Sequence, residues 1–251
     1  MLIDTNVNLG PWPFSPLPDH TGPALAAHLA ASGIRRAFVS HLGGVLLPDP
    51  MPANAKLFAQ TRRTPALLPV PVLNPALATW REQLDACRAA APIRAVKIFP
   101  NFHNYRLSSR RLDDFMAALA AAKLKLLLNV RLEDERHKYF ALRIKGVPVA
   151  DLAAFLQRFP AHHVLLTGAY KPEVEKLAAV HRNFSADIAF CETFKTLEFM
   201  LPKVPARQLM LGTCTPLLST RGEVGKLTFA QIPARARTLI GSENARRFFD
   251  L

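Results

Sequence analysis

Eight short apolar, β-branched runs begin near Leu2, Ala37, Leu67, Ala95, Lys125, His163, Phe184 and Gln208. Each precedes an alanine-rich or amphipathic stretch of about ten residues or more. Helices are expected over Pro23 to Ser32, Ala76 to Ala91, Arg111 to Ala122, Val149 to Arg158 and Pro172 to His181. Apolar strands alternating with helices specify a parallel sheet covered on both faces. Eight such units in 251 residues, about one per 30 residues, point to a closed (β/α)8 barrel. An open, doubly wound sheet is the alternative, but no G-x-G-x-x-G follows the first strand and no P-loop is present.

No linker divides the chain, so residues 1–251 are expected to form one α/β barrel domain. The Pro-rich segments Pro11 to Pro23 and Pro48 to Pro52 follow strands and are read as βα-loops on the catalytic face. The last twenty residues read as two helical segments broken at Gly241-Ser242, with Ser242 as an N-cap.

Half of the residues are hydrophobic, which excludes a disordered chain. No apolar run reaches the ~20 residues of a membrane span, and the first residues lack the basic and apolar regions of a secretory leader. Cys87, Cys191 and Cys214 are too few and too scattered for a disulfide framework or a CxxC zinc site. A reduced, cytoplasmic protein is expected. The net charge of +13 favours a small anionic partner. The basic residues are spread as pairs with no aromatic interleaving, which argues against nucleic acid. A homo-oligomer is compatible with this composition.

Several strand ends resemble one family. "IDTNVNLGPWPF" is similar to the D-x-H-x-H-x-G opening of the amidohydrolase-2 family of metal-dependent hydrolases and decarboxylases, which are TIM barrels. "LLPVPVLNP", "AVKIFPNFHNYRL", "LMLGTCTPL" and "IGSENARRFFDL" resemble its third, fourth and eighth strand ends and its closing helix, in the correct order. The resemblance implies a hydrolase or decarboxylase acting on a small polar, anionic carbonyl compound. It also implies a metal held by histidines on strands one, five and six and an aspartate on strand eight. This chain has Asn6, Asn8, a position on or near Asn129, one near Gly168, and Cys214 instead. Amide oxygens are weak neutral ligands, so no metal or other cofactor is expected at that position. His20, His41, His103 and His137 lack the spacing of a relocated site. The alternative to an enzyme is a non-catalytic barrel that binds a ligand or protein.

Alternation along the first strand places Asp4, Asn6 and Asn8 towards the barrel axis. Lys97, near the end of strand four, is a candidate for binding a carboxylate, forming a Schiff base or acting as a base; an ion pair with Asp187 is its structural alternative. The following loop gathers Asn101, His103, Asn104, Tyr105 and Arg106, which suits orientation and proton transfer. After strand five, Glu133, Asp134, Glu135 and Arg136 form the densest acidic spot, able to act as acid or base or to hold Mg²⁺ or Mn²⁺ through oxygen. The assignment is therefore Lys97, His103, Tyr105, Glu133 and Asp187 for catalysis, and Asn6, Asn8, Asn101, Arg136 and Cys214 for substrate binding. Replacing Lys97 or Glu133 is expected to weaken function with little loss of stability.

Overall fold

The computed structural model describes residues 1–18, 21–135 and 144–251. Eight parallel strands run in chain order: β1 Leu2–Leu9, β2 Ile34–His41, β3 Leu67–Pro69, β4 Ala95–Ile98, β5 Lys125–Asn129, β6 Val164–Thr167, β7 Phe184–Asp187 and β8 Leu209–Met210. Hydrogen bonding joins β1 to β3 and β4 to β8 in sequence order. Two seams close the ring. Lys97 N–H donates to the Pro71 carbonyl and Leu73 N–H to the Lys97 carbonyl, joining β3 to β4. Thr5 N–H donates to the Leu211 carbonyl, Cys214 N–H to Asn6 and Asn8 N–H to Thr215, joining the end of the chain to its first strand. The result is the (β/α)8 barrel expected from the strand count.

The outer ring comprises α1 Gly22–Ala31, α2 Gly43–Leu46, α3 Met51–Arg62, α4 Trp80–Ala90, α5 Arg111–Ala121, α6 Val149–Arg158, α7 Lys171–Val180, α8 Thr196–Met200, α9 Thr220–Thr228, α10 Ala234–Thr238 and α11 Asn244–Phe248. Two sequence expectations change. The segment Pro48 to Pro52 is not wholly a loop: Pro50 caps α3, and Pro52 lies in its first turn, where the missing N–H has no intrahelical acceptor to lose. Gly241-Ser242 does not break the last helix. Residues Leu239–Glu243 form a π turn between α10 and α11. Ser242 Oγ donates to the Thr238 carbonyl instead of capping a new helix.

Strand alternation sorts the interior into layers. Outward residues such as Val96, Ile98, Leu126, Leu128 and Phe184 pack beneath the helices. Inward residues Ile3, Phe38, Val70, Ala95, Leu127, Leu165 and Met210 form an apolar floor that Phe248 and Phe249 plug from below. Phe249 stacks on Phe38 with ring centroids 3.5 Å apart. One step up each strand, the inward positions become Asn6, Ser40, Lys97, Asn129, Thr167 and Asp187, all buried. Above this polar layer lies an aromatic and aliphatic cap of Trp12, Val72, Phe99, Leu132, Phe190 and Cys214, with Phe14, Phe102 and Tyr170 at its edge. The "WPF" and "NFHNY" loops meet there, with Trp12 and Phe102 centroids 6.3 Å apart.

Candidate functional site at the barrel mouth

The polar layer is built around Lys97, which is 1% exposed. Its ammonium donates to Asn6 Oδ1 at 2.7 Å, and Asn6 Nδ2 donates to Asp187 Oδ2 at 2.7 Å. Asn6 therefore relays between a cation and an anion that form no direct pair. The expected Lys97–Asp187 contact is made through this amide. Asp187 Oδ1 accepts from Gly168 N–H at 3.1 Å and Ala189 N–H at 3.4 Å. Asp4 accepts from the N–H groups of Asn6 and Thr213 and, at 2.6 Å, from the Thr213 hydroxyl.

Burial dominates the proton affinities in this layer. It pushes Asp4 up to about 7, even though the Thr213 and Asn6 hydrogen bonds act the other way. It raises Asp187 too, against the Gly168 and Asn6 bonds and the Lys97 charge. It lowers Lys97 to about 8, opposed by Cys214, Asp187 and Asp4. One ammonium facing two carboxyls is neutral only when one carboxyl holds a proton. Burial thus favours the neutral form of both carboxyls.

Two glycines permit this packing. A Cβ at Gly212 would lie 2.6 Å from Asp187 Cβ and 3.1 Å from Asn6 Cβ, so only glycine lets the strand-eight end approach. Gly168 has φ of +76°, and a Cβ there would strike the Arg131 carbonyl oxygen.

The metal implied by the family resemblance does not fit this donor set. Asn6 uses both ends of its amide on Lys97 and Asp187. Asn8 points its Nδ2 towards Cys214 and Thr215 carbonyls at 3.5 Å. Asn129 donates to the Arg131 carbonyl and Thr167 Oγ1, leaving a buried, unpartnered Oδ1. Cys214, at φ of +53°, keeps its thiol proton because burial pushes it up to about 12. Both Asp187 oxygens already accept hydrogen bonds, and the ammonium beside them repels a second cation. Among the described residues, no three His, Cys, Asp or Glu side chains are grouped to hold a metal.

The other predicted residues are dispersed. His103 bonds the Gly44 carbonyl at 3.0 Å and edges onto Phe99, and its buried Nδ1 is unpartnered. Burial lowers its proton affinity, against the Gly44 hydrogen bond. Tyr105 packs outward against the strand–helix core. Its hydroxyl is buried without a partner, and burial holds its pKa well above the ordinary phenol value. Glu133 accepts from Trp12 Nε1 at 2.8 Å and ties the cap to the end of strand five. Asp134 accepts from the Tyr170 hydroxyl, and Glu135 takes the Gly146 N–H. The acidic spot is thus largely a set of loop ties. Asn101 donates to the Val130 and Lys145 carbonyls. Arg136, His137 and His20 lie outside the described residues. His41 accepts from Gly43 N–H, and burial holds its proton affinity down at about 4.

Two charged groups were missed from the sequence. Arg131 makes a bidentate pair with Glu173, both contacts 2.6 Å, and lies 3.6 Å over the Tyr170 ring. Glu223, 3% exposed, pairs with Lys226 at 2.7 Å and is pushed up to about 8 by burial. "VRLED" offered no cue that Arg131 would be an organised cation. Arg131→Lys should cost about 1–2 kcal/mol in urea denaturation, because an ammonium cannot reproduce the fork or the stack. An unchanged denaturation midpoint would show the pair to be idle.

No family model matches the chain, and no curated protein matches it by sequence. Solved structures do. One described as amidohydrolase II has TM-score 0.77 and 15% identity over 100% of both chains. The chain shares the barrel fold of this structure. A 5-carboxyvanillate decarboxylase from Novosphingobium aromaticivorans, with manganese and 4-hydroxy-3-methoxy-5-nitrobenzoic acid bound, gives TM-score 0.77 and 12% identity over 100% of this chain and 96% of that one. A probable 2-pyrone-4,6-dicarboxylic acid hydrolase from Acinetobacter baumannii, with citric acid bound, gives 0.69 and 12% over 100% and 99%. The last two carry names of enzymes that act on organic acids. Among the described residues of this chain, no helix is long and apolar enough to cross a membrane.

Proposed function

We propose that this amidohydrolase-like barrel acts on a small anionic carbonyl compound, as a decarboxylase or hydrolase that uses Lys97 where similar barrels use a metal. The observation that carries this reading is the Lys97 ammonium, buried at the C-terminal end of strand four and bonded to Asn6, with Asp187 one hydrogen bond further on. An ammonium in a dry site pairs strongly with a carboxylate or polarises a carbonyl. In a decarboxylation the carbon–carboxylate bond breaks, carbon dioxide leaves, and the electron pair stays on carbon. In this reading Asp187, whose proton affinity burial raises, delivers a proton to that carbon and regains one from water. His103, with a spare Nδ1 beside Phe99, is placed to orient the substrate. Asn8, Asn101, Cys214, Glu133, Tyr105 and Arg136 keep supporting roles in this reading. Access requires the Trp12 and Phe102 loops to part.

A second reading, a non-catalytic binding barrel, is favoured by the cap itself. The cleft lined by Asn101, Phe102, Arg131 and Glu133 holds only about 10 Å³, roughly one water. The deciding experiment incubates the protein with 2,6-dihydroxybenzoate, 5-carboxyvanillate and 2-pyrone-4,6-dicarboxylate, with and without Mn²⁺. Turnover independent of added metal is expected, falling about tenfold or more in Lys97→Met and in Asp187→Asn. Calorimetric binding without turnover selects the second reading. Strict dependence on Mn²⁺ overturns the role given to Lys97.

A further inference from the structure

A second basic recess lies at the opposite end of the barrel. Its volume is about 300 Å³, and Lys125, His163, Arg182, Arg207 and Arg247 surround it. These come from five separate places: the start of β5, the turn before β6, the turn before β7, the 3₁₀ turn Ala206–Gln208, and α11. No carboxylate lines the recess. The neighbouring Asp250 pairs with Lys125 at 3.1 Å and is itself largely exposed. Arg207 and Arg247 make no hydrogen bond or ion pair to any described residue. The floor is apolar at Met210 and Phe248 and carries one buried hydroxyl, Ser185, bonded to His163 Nε2 at 2.9 Å.

Arg207 and Arg247 add like charges that the Lys125–Asp250 pair does not offset, and a concave low-dielectric wall focuses their field. Guanidinium forks match phosphate oxygens in pairs. An apolar floor beneath a cationic rim suits a molecule with a flat apolar body and an anionic head. We propose that this recess binds a small organic phosphate monoester, its phosphate on Arg207 and Arg247 and its body on Phe248. The proposal is independent of the mouth, because no residue of the Lys97 network lines the recess.

The test is calorimetry of the full chain with phenyl phosphate at low salt. One saturable site is expected, with Kd of about 1 mM or tighter. The variant Arg207→Glu/Arg247→Glu should weaken it about tenfold or more, with an unchanged melting temperature because both side chains are exposed and unbonded. The control Arg62→Glu/Arg63→Glu makes the same charge change elsewhere and should leave binding within about twofold. Lys97→Met should leave it unaltered. Absence of saturation in the parent overturns the proposal, as does equal weakening by both double variants, which would show a diffuse charge effect. Inorganic phosphate binding as tightly as phenyl phosphate removes the role of the Phe248 floor. A single-stranded oligonucleotide competing far more strongly than the monoester makes the face a polyanion surface and overturns the small-ligand assignment.

Discussion

Lys97→Ala is expected to lower stability by about 3 kcal/mol, a fall in melting temperature of roughly 6–12 °C for a chain of this size. Three losses combine. The stem vacates space in a closed interior, Asn6 Oδ1 loses its donor, and Asp187 loses the Lys97 charge. Lys97→Met separates them, because it refills the volume and leaves only the polar losses, about 1–2 kcal/mol. Urea denaturation of both variants checks the ranking. Equal stability of parent and Lys97→Ala would show that the ammonium is solvated and the polar layer is not closed. The sequence led us to expect little structural cost here, as for a residue in an open cleft. Burial beneath Phe99 reverses that expectation.

The chain is also expected to be more stable near pH 5 than near pH 8. Asp4 is raised from 3.8 to about 7, so between those values the folded protein holds a proton that the unfolded chain has released. Stability therefore falls as pH rises through this window. Glu223, raised to about 8, extends the fall. Lys97 acts in the opposite direction higher up. Its value drops from 10.5 to about 8, so the unfolded chain binds the extra proton between those values and stability climbs again. The minimum lies near pH 7–8, and the Asp4 contribution is on the order of 4 kcal/mol. Asp4→Asn keeps the side-chain shape and should flatten the slope between about pH 4 and 7. Melting temperatures across pH 4–10 for both proteins test it. A parent most stable at pH 7 would mean that the carboxyls are ionised in the folded state.

The barrel was legible because eight strand starts and their helices are written in short-range periodicity. So was the inward placement of Asn6 and Asn8, and the face on which the Trp12 and Phe102 loops meet. The register shift after Asp4 was not: that residue pairs with Ala37 of the outer layer while Ile3 takes the inward position. What could not be read was partner choice across the ring. Asn6 and Lys97 are 91 residues apart, and Asn6 and Asp187 are 181 apart. Nothing local distinguishes an amide that relays between charges from one facing solvent. Glu133 and Tyr105 illustrate the same limit. Position after a strand places a residue at the mouth, yet Glu133 is taken by the Trp12 indole and Tyr105 turns outward. Arg131 escaped notice because its partner, Glu173, lies 42 residues on, in α7 beyond the next helix and strand.

The floor plug sets an order of assembly. Phe249 stacks beneath Phe38, and Ala245 and Phe248 seal the same layer. Leu211 and Cys214 must arrive before β1 has a neighbour on its open side. A ribosome delivers these residues after all the earlier strands, so a nascent chain carries seven strands with an unpaired edge and an unsealed apolar bottom. Until α11 emerges, that edge and floor are open to pairing with other chains.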